Sequence, residues 1–153
     1  GRGGRAQGGR PTLAPAALLG LCVCALLVVG TRYVSDQLSV KRMAQAINER
    51  IAGLDAGTGA RLLSYDTYLH GIPFYTGRPV DVVNWTGEMH YAKRFARFAH
   101  RFGDDATIRA LPEPGFRTFV VLKRRELDNF LALNPAEEIR ALSPHGPWVL
   151  AEF

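Results

Sequence analysis

The chain has 153 residues, room for one domain and an additional segment, and a formal charge of +5. Arg2, Arg5, Arg10 and Arg32 are the only charges before Asp36 and carry about four of those five units, so the remainder nearly balances. The basic excess therefore belongs to the N-terminal segment and excludes a nucleic-acid-binding domain as its source.

In chain order, residues 1–10 come first, rich in Gly and Arg and without a large apolar side chain. They are expected to form a disordered basic flank. An RGG-type nucleic-acid segment would need many more repeats. The stretch "LAPAALLGLCVCALLVVG", 13–30, contains no charge. With its margins it predicts a transmembrane helix over 11–33, since about 20 residues span a hydrocarbon core of roughly 30 Å. Tyr33 then stands where an interfacial aromatic belongs. A cleaved signal peptide is the competing reading, but "VVGTRYVSDQ" lacks a small-x-small cleavage site. The positive-inside rule places 1–10 in the cytoplasm and 34–153 outside. Cys22 and Cys24 are the only cysteines. They fall within the apolar stretch and read as small packing residues, so the exported part has no disulfide.

Val40, Ala44, Ile47, Ile51 and Leu54 recur at helical spacing, predicting an amphipathic helix with Ser39 as N-cap that ends in the glycine-rich 53–59. "ARLLSY" (60–65) and "PVDVVNW" (79–85) read as strands joined by a short helical connection and a Thr76-Gly77-Arg78-Pro79 turn, a parallel crossover. Tyr91, Phe95, Phe98 and Phe102 predict a helix over 88–102 with an aromatic core face. Arg94, Arg97 and Arg101 form a second row, read as a solvated face or as a contact with anionic lipid headgroups. "FRTFVVLKR" (116–124) is a further strand, followed by a short helix with Leu127, Phe130 and Leu131 on one face. "EIRALS" and "WVLAEF" flank Pro144-His145-Gly146-Pro147 as a terminal hairpin. The fold class is α/β: one N-terminal transmembrane helix, then a small periplasmic domain at 34–153 with a mixed sheet of about five strands flanked by helices.

The sequence contains no G-x-S-x-G elbow, Walker loop or strand-borne G-x-G-x-x-G. His70, His90, His100 and His145 lack metal-ligand spacing, so no metal site and no cofactor are expected. Asp104-Asp105 reads as a helix-terminating turn, and Asn84-Trp85-Thr86 matches a glycosylation sequon at a strand end. Ligands of open α/β sheets bind at the carboxyl edge. Tyr65 and Asp66 close the first predicted strand there, and Glu88 follows the second. Tyr65, Asp66, Tyr75, Arg78 and Glu88 are therefore the candidates for contact with a substrate or a neighbouring domain. The plainer alternative is that the tyrosines pack under the sheet while Asp66 and Glu88 cap helices.

Three motifs carry a family resemblance: Ser39-Val-Lys-Arg-Met-Ala44 followed by Ile47, then Gly71-Ile72-Pro73-Phe74-Tyr75-Thr76-Gly77-Arg78, then Gly87-Glu88-Met89-His90-Tyr91-Ala92. Together they resemble the C-terminal region of bacterial GT-C class membrane glycosyltransferases. These use polyprenyl-phosphate sugars and are related to lipid A aminoarabinose transferases and protein mannosyltransferases. The second motif matches closely. In the third, Met89 and Ala92 replace the Leu and Gly of the family pattern. The resemblance implies a C-terminal piece: a last membrane helix leading to a periplasmic accessory domain in the bacterial inner (cytoplasmic) membrane. Its implied partners are the N-terminal transmembrane domain of the same enzyme, the lipid bilayer and a polyprenyl-phosphate sugar donor, with no nucleic acid. In that class the catalytic carboxylate and the lipid-phosphate ligands sit in early periplasmic loops, so no residue here inherits a catalytic role. The alternative is a single-span envelope α/β module that binds a ligand or a partner protein and catalyses nothing.

Overall fold

The computed structural model describes residues 13–38, 40–85, 87–134 and 136–153. The predicted disordered flank at 1–10 and the predicted N-cap Ser39 lie outside them, as does the side chain of Tyr33. The chain divides into two compact units, Gly1–Asp36 and Gln37–Phe153.

The first unit contains helix α1 (Leu13–Leu38). Its end takes in Arg32 and Asp36. The uncharged helical stretch is 13–31, closed by Thr31, whose hydroxyl donates back to the Leu27 and Val28 carbonyls, and by Arg32. A span needs about 20 apolar residues. Among the described residues no helix is long and apolar enough to cross a membrane, which corrects the transmembrane helix expected over 11–33. The assignment of 1–10 to the cytoplasm and 34–153 to the periplasm loses the support it drew from that span.

The second unit opens with α2 (Lys41–Ala52), with Val40 at the N-cap position and no side-chain cap. Then follow β1 (Gly59–Tyr65), α3 (Gly71–Thr76), β2 (Asp81–Val83), a 3₁₀ turn (Glu88–Arg94), α4 (Ala96–Ala99) and β3 (Phe102–Gly103). The chain continues through α5 (Asp105–Arg109), β4 (Phe116–Lys123), α6 (Leu127–Leu133) and the hairpin β5 (Ala141–His145) and β6 (Trp148–Glu152). The sheet has six strands in the order β3-β2-β1-β4-β6-β5, rather than about five. The four strands β3, β2, β1 and β4 run parallel, while β6 is antiparallel to β4 and to β5.

Side chains alternate across the strands and divide the core in two. Leu62, Phe119, Val121 and Leu150 face one way and bury Met43, Ala44 and Ile47 of α2 and Ile72 of α3. Leu63, Val83, Val120, Leu122 and Val149 face the other way, against Ile108 of α5, Phe130 of α6 and the terminal Phe153. Each such fully buried aliphatic or aromatic side chain contributes roughly 1.5–3 kcal/mol. The predicted α2 stripe is the core stripe, because its i, i+4, i+7 spacing keeps Val40, Ala44 and Ile47 on one side. Glu152 locks α2 to the sheet, accepting from Arg50 at 3.0 Å and Arg117 at 2.6 Å.

The predicted helix over 88–102 is also corrected. The 3₁₀ turn breaks at Phe95, which takes extended backbone (φ −88°, ψ 121°), and Phe102 belongs to β3. Tyr91, Phe95 and Phe98 are exposed rather than buried. With three and two residues, β2 and β3 offer too little sheet for a long helix to cover. The aromatic period alone does not create a face to pack on.

Candidate functional site

Order and direction place the topological switch between β1 and β4. From β1 the chain moves to β2 and β3, then crosses back to β4 on the other side. In such sheets the crevice beyond the carboxyl ends of the strands is where ligands bind. At this edge Asp66 (φ 48°) and Asn84 (φ 58°) leave β1 and β2 in the left-handed region. Asp and Asn enter that region more readily than other non-glycine residues, because their short side chains bond locally. Both amides prolong the ladder by one step first: Asp66 N–H donates to the Val83 carbonyl at 2.9 Å and Asn84 N–H to that of Gly103 at 3.2 Å.

These turns gather a polar group. The Asn84 amide donates to the Asp105 carboxylate and faces the Tyr65 phenol. Tyr65 is buried edge-on against Phe130, ring centroids 5.5 Å apart. Burial pushes its phenol above the ordinary range and the charge of Asp105 adds to this; the Asn84 amide works the other way, while Asp66 and Glu126 add further. The phenol therefore stays protonated and can donate as well as accept. Glu126 accepts from Arg125 at 3.0 Å and from Asn129 at 3.1 Å. Asp104-Asp105 does not end a helix. Asp104 caps the start of α5 through a reciprocal pair with Thr107.

Beside this group, Tyr68 stacks on Trp85 at 5.9 Å and meets His70 edge-on at 4.8 Å, and His70 Nε2 donates to the Glu88 carboxylate. At the carboxyl end of β4, Lys123, Arg124, Arg125, Pro147 and Trp148 line a hollow of ≈ 580 Å³. One sheet edge thus carries carboxylates, an amide and a phenol beyond β1–β3, and three cations with an indole beyond β4. That set can hydrogen-bond a hydroxyl-rich ligand and neutralise an anionic group. Among the described residues no group of three His, Cys, Asp or Glu side chains could hold a metal ion.

Of the predicted residues, Tyr65 and Asp66 stand at this edge, and Glu88 is paired with His70. Arg78 is elsewhere. It precedes β2, whereas Glu88 follows it, and it lines a hollow of ≈ 200 Å³ with Arg61, Asp81 and Arg101. In that hollow Asp81 is bonded by Arg61 at 3.2 Å and Arg101 at 3.4 Å. Tyr75 is 43% exposed, packs edge-on with Phe74 and offers its carbonyl to Asn48 at 3.2 Å. Asn84, Asp105, Glu126 and the β4 cations escaped the sequence reading. The available signal was an Asn directly after a short β-branched strand, a position where the left-handed turn is permitted. Thr86 of the sequon lies outside the described residues.

No family model matches the sequence, and no curated protein matches it. Solved structures match in fold. ArnT from Cupriavidus metallidurans bound to undecaprenyl phosphate is 20% identical with a TM-score of 0.58, over 78% of this chain and 20% of that one. ArnT from the same organism in the apo state is 19% identical with a TM-score of 0.55, over 74% of this chain and 19% of that one. The chain therefore spans about a fifth of the length of these structures. At this identity the likeness is one of fold.

Proposed function

We propose that Gln37–Phe153 is an accessory α/β domain of a GT-C class glycosyltransferase that transfers a sugar from a polyprenyl-phosphate donor to an envelope lipid or protein. The observation that carries this reading is the fold likeness to part of ArnT across most of the chain. It agrees with the Gly71–Arg78 motif, whose resemblance points to the same enzyme class independently of the fold. That one of the ArnT structures holds undecaprenyl phosphate supports a polyprenyl phosphate as the donor lipid. On this reading the domain works at the outer face of the bacterial cytoplasmic membrane, and the membrane part of the enzyme supplies the catalytic groups. Asp66, Tyr75, Arg78 and Glu88 are then the positions available to that membrane part or to its substrates, while the buried Tyr65 supports the edge from beneath.

The reading is tested on the coding DNA upstream of Gly1. A continuous open frame encoding a series of hydrophobic spans is expected, and a start codon directly before Gly1 would overturn it. The isolated chain, offered a polyprenyl-phosphate sugar and an envelope acceptor, should show no turnover above background. Turnover would place the chemistry in this chain and sink the accessory role.

A second reading, a non-enzymatic α/β module that binds a ligand, draws on the two-sided carboxyl edge. Its basic hollow at Lys123–Arg125 and its acidic group at Asn84 and Asp105 suit a ligand with an anionic group and hydroxyls. Binding of such a ligand that is lost in Asn84→Ala and in Arg124→Ala alike would favour it.

A further inference from the structure

The segment from Met89 to Phe102 contains Lys93, Arg94, Arg97 and Arg101, and no Asp, Glu, Ser, Thr, Asn or Gln. In the fold it yields the 3₁₀ turn, the extended Phe95 and α4, and it leaves Tyr91 67%, Phe95 41% and Phe98 38% exposed. The Arg97 guanidinium lies over the Phe98 ring at 4.7 Å and within 6.0 Å of the Phe95 ring. Tyr91 and Phe95 meet edge-on at 5.1 Å. Lys93, Arg94 and Arg97 make no ion pair among the described residues, whereas Arg101 is engaged by Asp81. Three rings and three cations without an ion pair among the described residues therefore share one short stretch of surface.

We propose that this surface docks on a bilayer carrying anionic lipid headgroups. Exposed aromatics sit favourably where one end of the ring is apolar and the other is wet, and the interfacial zone of a membrane supplies that environment. Unpaired cations beside the rings complement headgroup phosphates, and their aliphatic stems lie along the apolar boundary while the charge reaches outward. A protein partner fits less well, because charged residues and Lys above all are depleted at the core of protein interfaces, and here Lys93 and Arg94 stand among the exposed rings. Single-stranded nucleic acid requires open ring faces for stacking. Here the rings form no parallel platform for successive bases: Tyr91 and Phe95 stand at 77° to each other, and Arg97 lies over Phe98. The inference stands apart from the glycosyltransferase reading: it rests on residues 89–99 alone.

The test uses the full chain with vesicles of phosphatidylcholine, with and without phosphatidylglycerol. Helix α1 is apolar enough to bring the chain to any lipid, so the readout is local: amide hydrogen exchange over 89–99. Exchange should slow on the phosphatidylglycerol vesicles, recover in high salt, and stay unchanged on phosphatidylcholine alone. The triple variant K93E/R94E/R97E should lose the effect while keeping its urea midpoint. At roughly fivefold in partitioning per cation, it should lose at least on the order of 100-fold in affinity for that surface. Equal exchange on the two vesicle types, or protection retained in the triple variant, would overturn the proposal. So would protection by a single-stranded oligothymidine with none from vesicles.

Discussion

His145 ends β5 opposite Trp148, and neither His145 Nε2 nor Trp148 Nε1 finds a hydrogen-bond partner although both atoms are buried. Burial lowers the basicity of the imidazole, and the positive charge of Arg50 lowers it further. The unfolded chain therefore takes up a proton at this residue before the folded one does. Stability from this residue is complete above the ordinary imidazole value of about 6.5 and falls as pH drops through it toward the lower folded value. Urea midpoints measured from pH 8 to pH 5 should decline, and His145→Phe should flatten the decline. An unchanged slope in that variant would acquit His145. The sequence placed this histidine in a turn, because Pro144 and Pro147 bracket it. Its burial follows from cross-strand pairing with Trp148 and the approach of Arg50 from α2, both long-range events. Tyr65 shows the same limit. Its position at a strand end was readable, but the phenol's link to Asn84 exists only because β2 lies beside β1.

The connection after α3 was readable as an element. Gly77 follows Thr76 with φ 65° and returns its N–H to the Pro73 carbonyl at 3.0 Å, and Pro79 prevents the helix from resuming. Nothing stands within 4 Å of a side chain added there, so Gly77→Ala should cost only the left-handed penalty, about 1 kcal/mol. Gly87 is different, because an added Cβ would strike the Trp85 indole. Gly87→Ala should cost more than Gly77→Ala in chemical denaturation and should alter tryptophan fluorescence by disturbing the Trp85–Tyr68 stack. Equal costs with unchanged fluorescence would contradict that packing. The element at 88–102 was misread for an instructive reason. Aromatic spacing of 4, 3 and 4 residues matches a helix face, yet a helix forms only where another layer waits to receive it. The strands β2 and β3 are too short to provide one, so the residues become a turn, one helical turn and the edge strand β3.

Among the described residues, both hydrophobic clusters are drawn from residue 40 onward. A chain beginning at Gln37 should therefore unfold in one cooperative urea transition at the midpoint of the full chain. A non-cooperative or clearly lower transition would show that the first unit contributes to that stability. At this scale the α/β class, the parallel crossover, the α2 core stripe and the closing hairpin were all legible. Each rests on local periodicity and turn chemistry that neighbouring residues decide among themselves. The Gly71–Arg78 motif also indicated the enzyme class whose fold the ArnT structures share. Uncharged composition over 13–30 suggested a membrane span, but among the described residues no helix is long and apolar enough to cross a membrane. The sequence by itself determined which segments were apolar on one side and where the chain had to turn. Only the tertiary structure decided which faces were covered, that Arg78 and Glu88 lie beyond opposite ends of β2, and which polar groups meet at the carboxyl edge. Strand order brings together residues dozens of positions apart, and no local pattern records that order.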